Sequence, residues 1–113
     1  MRVFLVEDEA MIALYMEDLV ADLGHEIAAT AMRLGEALEL AEQSDFDVAI
    51  LDINLAGTMS FPVADLLTAR GVPYLFATGY GSAGIGPPYN EHVVVHKPVR
   101  AADLGRAITT ATL

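Results

Sequence analysis

The stretch LFATGYGSAGIGPPYN, residues 75–90, carries a literal G-x-G-x-x-G at Gly79, Gly81 and Gly84, and its reading decides the fold. A dinucleotide-binding fingerprint needs a strand before the glycines, a helix opening on them and an acid about 20 positions later. The strand is present, since VPYLFA (Val72 to Ala77) is apolar and rich in strand formers. The helix is not. Ile85 and Gly86 lead into Pro87 and Pro88, which remove backbone donors where a helix would have to propagate. No acid stands between Lys97 and Ala101. The stretch therefore reads as a strand ending at Thr78, followed by a loop or a short, distorted helix over residues 79–90.

Working outward, strand-like and helix-like periods alternate. RVFLV (Arg2 to Val6) is a short apolar run that ends in Glu7, Asp8 and Glu9. Met11, Ile12, Tyr15, Met16, Leu19, Val20 and Leu23 then recur at helical spacing, with Glu17, Asp18 and Asp22 opposite and Gly24 as a C-cap. EIAATA (Glu26 to Ala31) is a second strand. LGEALELAEQ (Leu34 to Gln43) is a second helix with Leu34, Ala37, Leu38 and Ala41 on one face. DVAILDINL (Asp47 to Leu55) is a buried-strand pattern broken by Asp52, and Gly57 opens a turn. Pro62 suits the first turn of a third helix, which carries Val63, Leu66 and Leu67 to a stop at Gly71. HVVVHK (His92 to Lys97) is the fifth strand, and a last helix turns Leu104, Ala107 and Ile108 inward. Strands alternating with helices over short connections predict a doubly wound α/β domain with a five-stranded parallel sheet, spanning residues 1–113 as one unit.

The totals fit one domain: 113 residues, 54% hydrophobic, are enough for one buried core. The absence of cysteine excludes disulfides and thiolate metal sites and suits a reducing compartment. The chain starts without a targeting signal, and no segment approaches the ~20 apolar residues of a membrane span, so a cytoplasmic protein is expected. The net charge of −10 leaves no basic footprint for nucleic acid. His25, His92 and His96 do not form a metal-binding pattern; His96 faces the side of its strand opposite Lys97.

The polar residues that interrupt the apolar pattern share one location. Glu7 and Asp8 follow the first strand, Asp52 ends the third, Thr78 the fourth and Lys97 the fifth. Open parallel sheets bind ligands beyond the carboxyl ends of their strands. Two carboxylates ~5 Å apart repel by roughly 3 kcal/mol at an effective dielectric near 20, so three together call for a cation. Oxygen ligands without Cys or His suit Mg²⁺, which prefers sites completed by a phosphate. Lys97 would then be a point charge for a phosphoryl oxygen, with the Thr78 hydroxyl as a hydrogen-bonding partner.

With these residues in place, the sequence resembles the receiver domain of two-component response regulators over nearly its whole length. LVEDE looks like the acidic pair, ILDINLAG the phosphoacceptor turn, ATGY the hydroxyl position and HKPV the Lys-Pro of that family. FATGYG further resembles the Phe-Ala-Thr-Gly subgroup, the FAT GUY receivers. The resemblance implies a flavodoxin-like strand order 2-1-3-4-5 and a cis peptide before Pro98. It implies a stand-alone signalling protein, a monomer or weak dimer rather than an enzyme, that acts in a phosphorelay. Asp52 would accept a phosphoryl group from a sensor histidine kinase, and a histidine phosphotransfer protein or another downstream protein would take the signal on. Mg²⁺ would be held by Glu7, Asp8, Asp52 and the backbone carbonyl of Asn54, while Thr78 and Lys97 bind phosphoryl oxygens.

The sequence departs from the family at several points. Val94 stands where many receivers have a switch aromatic three positions before the lysine, which leaves Tyr80 either as a surrogate aromatic or as an exposed loop tyrosine. Ala56 stands where many have proline, and Gly81 where the subgroup has tyrosine. Two other readings compete. An aspartyl phosphohydrolase of the haloacid dehalogenase type wants Asp-x-Asp followed two residues later by Thr, and Asp52-Ile53-Asn54-Leu55-Ala56 lacks both. A phosphorylation-independent module on the same fold would be expected to have lost at least one of Asp8, Asp52, Thr78 and Lys97.

Overall fold

The computed structural model describes residues 1–79, 86, 89 and 92–113. The chain runs β1 (Arg2–Val6), α1 (Ala10–Asp22), β2 (Glu26–Ala31), α2 (Leu34–Gln43) and β3 (Val48–Asp52). It continues through β4 (Asn54–Leu55), β5 (Thr58–Met59), α3 (Phe61–Arg70), β6 (Tyr74–Thr78), β7 (Val94–His96) and α4 (Ala101–Ala111). Five strands form one parallel sheet in the order β2-β1-β3-β6-β7. Counted among themselves, these strands follow the expected order 2-1-3-4-5. The chain steps outward from β1 to β2 and then crosses to β3 on the other side. The switch point therefore lies between the carboxyl ends of β1 and β3.

The period-two alternation of the strands sorts their side chains onto two cores. Val3, Leu5, Val48, Ile50, Leu75, Ala77 and Val95 face α1 and α4. Phe4, Val6, Ala49, Leu51, Tyr74 and Phe76 face α2 and α3. A sheet covered on both faces needs strands that are apolar on both sides, which is why VAIL in β3 is buried throughout. The last helix turns Leu104, Ala107 and Ile108 inward as expected. Helix α3 has proline in its first turn and stops at Gly71, whose φ of 71° belongs to the left-handed region that glycine tolerates.

Two expectations need correction. The helical spacing places Met11 and Tyr15 inward on α1, yet they are 79% and 46% exposed, while Ala13 is buried with Met16, Leu19 and Val20. An apolar side chain at the right spacing is buried only where another element covers that face of the helix, and the covered face of α1 is the one carrying Ala13, Met16, Leu19 and Val20. The strand read through Leu55 stops at Asp52. Beyond it, β4 and β5 pair antiparallel as a small hairpin, with Leu55 opposite Thr58. The two turn residues, Ala56 and Gly57, both have positive φ, 53° and 92°. A two-residue hairpin of this hand requires it. The loop or distorted helix expected over 79–90 falls mostly outside the described residues, as does Tyr80.

Candidate functional site

Glu7, Asp8, Asp52 and Lys97 meet at the carboxyl rim of the sheet because each sits at or just past the end of its strand, and Thr78 closes β6 on the same rim. Glu7 prolongs β1, and its amide donates to Ala31 O at 3.0 Å, which leaves the side chain only 2% exposed. Asp52 and Thr78 close β3 and β6 and are both buried. Lys97 follows β7 and is tied to β6, its amide donating to Thr78 O at 2.9 Å. The peptide between Lys97 and Pro98 is cis.

The side chains form one charge cluster. Carboxylate oxygens of Glu7, Asp8 and Asp52 all lie within 4.8 Å of one another. Lys97 Nζ donates to Glu7 Oε1 at 2.6 Å and lies 3.3 Å from Asp52 Oδ2. The ammonium is therefore shared between two buried acids and held more closely by Glu7. In front of it opens a cleft of about 250 Å³, lined by Asp8, Asp52, Asn54, Ala56, Gly79 and Lys97 together with Glu9 and Ile12.

One ammonium does not balance three carboxylates, and the ionisation equilibria reflect this. Burial first, and then the negative charge of Glu7, raise the Asp52 carboxyl to about 7 against the pull of Lys97. Partial burial also pushes Asp8 upward. Hydrogen bonding with the neighbouring Asp52 and Glu7 carboxyl groups, and the bond donated by the Ala56 amide, outweigh it and hold Asp8 below the ordinary carboxylate value. Burial pulls the Lys97 ammonium down, but its hydrogen bond to Glu7 and the charge of Asp52 win and raise it. Asp52 thus holds its proton well above the ordinary carboxylate range, while Lys97 stays charged. A proton or a metal cation arriving in the cleft answers the same deficit of positive charge. Three hard oxygen donors with no sulfur or imidazole among them fit Mg²⁺ in kind.

The hairpin after β3 forms the outer wall of the cleft. Ala56 N donates to Asp8 Oδ2 at 3.0 Å, and Gly57 N donates to Asn54 Oδ1 at 2.7 Å. The Asn54 amide oxygen is thereby committed to the turn. Proline is incompatible with position 56 in this geometry: the residue needs φ near 53° and a free N–H for Asp8. The departure from the more common proline thus goes with a different loop.

The structure also assigns contacts that the sequence reading missed. The Tyr15 hydroxyl donates to Val99 O at 2.6 Å, across 84 positions of chain. Tyr74 OH lies 2.9 Å from His92 Nε2, with the two rings stacked at 4.3 Å. Tyr89 stacks on Phe61 at 4.2 Å and donates to Asp65 Oδ1 at 2.7 Å. Val94 is half-buried in the same α3-side core. None of these pairs has a local signature, because each joins residues distant in sequence. His96 is exposed, and His25 meets the terminal amine at 3.0 Å. Among the described residues, only Glu7, Asp8 and Asp52 are gathered closely enough to hold a metal ion.

Comparison with known proteins agrees with the fold. The family model described as the response regulator receiver domain matches residues 3–109. The phyllosphere-induced regulator PhyR of Methylorubrum extorquens is 34% identical over 114 aligned positions, covering 97% of this chain and 43% of PhyR. The chain thus spans less than half the length of that relative. The solution structure of SdrG from Sphingomonas melonis Fr1 superposes with a TM-score of 0.88 at 33% identity, covering 99% of this chain and 96% of SdrG. The BeF3-activated conformation of SdrG, from Pseudomonas melonis Fr1, superposes with a TM-score of 0.86 at 32% identity, with the same coverage. From the sheet order, the cluster at its switch point and the match over nearly the whole length, the chain belongs to the response regulator receiver domain family.

Proposed function

We propose that the chain is a phosphoacceptor module in which Asp52 takes a phosphoryl group from a phosphohistidine of a sensor kinase. The observation that carries this is a buried carboxylate at the end of β3, with two further carboxylates inside 4.8 Å and an ammonium at 3.3 Å. Such an arrangement is unfavourable unless something cationic or a cation-bound phosphate completes it. Glu7, Asp8, Asp52 and the backbone carbonyl of Asn54 would hold Mg²⁺. Bound there, the ion would neutralise charge on the phosphoryl oxygens.

The protein's own share is positioning and charge neutralisation. Asp52, ionised, attacks phosphorus in line; the new O–P bond forms as the P–N bond to the donor imidazole breaks. Lys97, released from Glu7, pairs with one phosphoryl oxygen, and Thr78 donates its hydroxyl to another. Return of the phosphoryl group to water or to a histidine phosphotransfer protein runs through the same groups. The module signals by changing what binds it and turns over no external substrate.

The likeness to SdrG, which extends over 96% of that chain and includes a BeF3-activated form, supports a single receiver that responds to a phosphoryl mimic. Residues 76–79 supply the Phe-Ala-Thr-Gly of the FAT GUY subgroup, which is the subgroup we assign. Among the described residues no helix is long and apolar enough to cross a membrane, which is compatible with the cytoplasmic phosphorelay we propose. The test is intact mass after incubation with a small phosphodonor. A Mg²⁺-dependent phosphoryl adduct that disappears in Asp52→Asn is expected; an adduct that persists in the variant, or none in the wild type, defeats the reading.

A further inference from the structure

Lys97 is the only lysine in the chain, and its backbone is anchored on both sides. Its amide donates to Thr78 O at 2.9 Å. Two residues later, the carbonyl of buried Val99 accepts the Tyr15 hydroxyl at 2.6 Å. Pro98 between them has no N–H to contribute. The first anchor comes from β6, the second from α1, so the turn carrying the lysine is suspended between the two elements that flank the cleft.

An apolar groove of about 380 Å³ runs beside this turn, lined by Met11, Ile12, Tyr15, Lys97, Pro98 and Val99. Lys97 and Ile12 line both this groove and the carboxylate cleft. The methylene stem of the lysine therefore borders apolar side chains while its ammonium meets Glu7 and Asp52. Tyr15 itself is 46% exposed and follows Leu14, which is 58% exposed. A ring so placed adds little to the core. What distinguishes it from phenylalanine is the hydroxyl, and the hydroxyl is spent on Val99.

Resting on the phosphoacceptor reading, we infer that Tyr15 is a positioning residue for Lys97, its hydroxyl fixing the backbone from which the ammonium reaches the phosphoryl group on Asp52. It touches neither the carboxylates nor the phosphoryl oxygens and acts only through the Lys97-Pro98-Val99 turn. Mg²⁺ binding, which depends on Glu7, Asp8, Asp52 and the Asn54 carbonyl, does not need this support. Phosphoryl binding does.

Tyr15→Phe removes one oxygen and tests this. Mg²⁺ affinity and beryllofluoride affinity in saturating Mg²⁺ would be measured on wild type and variant, with thermal midpoints alongside. Selective isotope labelling of lysine gives a single side-chain signal, that of Lys97, to be followed by NMR. The expected result is Mg²⁺ affinity within about twofold of wild type, beryllofluoride affinity about fivefold weaker, and a shifted or broadened Lys97 signal, in keeping with one lost hydrogen bond. A Lys97 signal that does not change, or losses of Mg²⁺ and beryllofluoride affinity in parallel, would overturn the positioning role. Wild-type protein that binds Mg²⁺ but no beryllofluoride would sink the phosphoacceptor reading first, and no variant is needed to see that.

Discussion

Strand β3 holds two opposite environments in consecutive residues. Val48, Ala49, Ile50 and Leu51 are completely buried among apolar side chains on both faces of the sheet. The next residue, Asp52, is almost as buried, but among Glu7, Asp8 and Lys97. The first four residues stabilise the fold through burial and close packing. The fifth works against it, since its carboxyl is raised to about 7 by burial and by Glu7. The apolar strand interior thus offsets an electrostatically unfavourable strand end, which is the arrangement expected of a centre completed by a ligand.

Ile50→Ala breaks the comparison from the core side and should have the largest effect on stability. Ile50 has no exposure, so the substitution should cost about 2–5 kcal/mol, read as a lower urea midpoint at unchanged slope. A loss below about 1 kcal/mol would mean that this part of the sheet repacks, and that the interior is less rigid than its burial implies.

Asp52→Asn acts with the opposite sign. Asp52 binds its proton more tightly folded, at about 7, than at its ordinary value of 3.8. Its favourable contribution is complete below 3.8 and is lost as pH rises through 7. Without Mg²⁺, the asparagine variant should therefore be more stable than wild type at pH 8 by on the order of 2 kcal/mol, a gap that closes toward pH 4. Thermal midpoints at the two pH values measure it. A variant less stable than wild type at pH 8 would show that Lys97 compensates Asp52 fully.

The smallest of the three effects concerns the cation. Because Asp52 must give up its proton before it can serve as a ligand, Mg²⁺ affinity should be flat above pH 7 and fall about tenfold per unit below it. Calorimetry in buffers of different ionisation enthalpy should find about one proton released per Mg²⁺ at pH 6. Absence of proton release would mean that Asp52 is already ionised in the metal-free protein.

Much of this was legible in the residues themselves. The run VAIL, the parity of HVVVHK and the heptad-like spacing of the last helix are local patterns with periods of 2.0 and 3.6, and they predict the same elements the structure contains. The polar interruptions were legible for the same reason. A carboxylate closing an apolar strand has a position along the strand that needs no tertiary information, and in a parallel sheet every strand ends at the same rim.

What the sequence determined by itself was therefore the alternation of elements, the two-sided sheet and the meeting of Glu7, Asp8, Asp52 and Lys97 at one rim, with Thr78 at the end of the neighbouring strand. What only the tertiary structure decided was which helical residues are covered and which long-range partners they find. Met11 and Tyr15 have the spacing of core residues but stand outside the packed core face of α1, so Met11 is largely exposed and Tyr15 reaches Val99 instead. The hairpin beyond Asp52 and the positive φ of Ala56 belong to the same class, since that turn closes against Asp8, contributed from 48 positions earlier. Periodicity records what each residue prefers locally. Burial and hydrogen bonding between distant residues depend on what the rest of the chain brings alongside them.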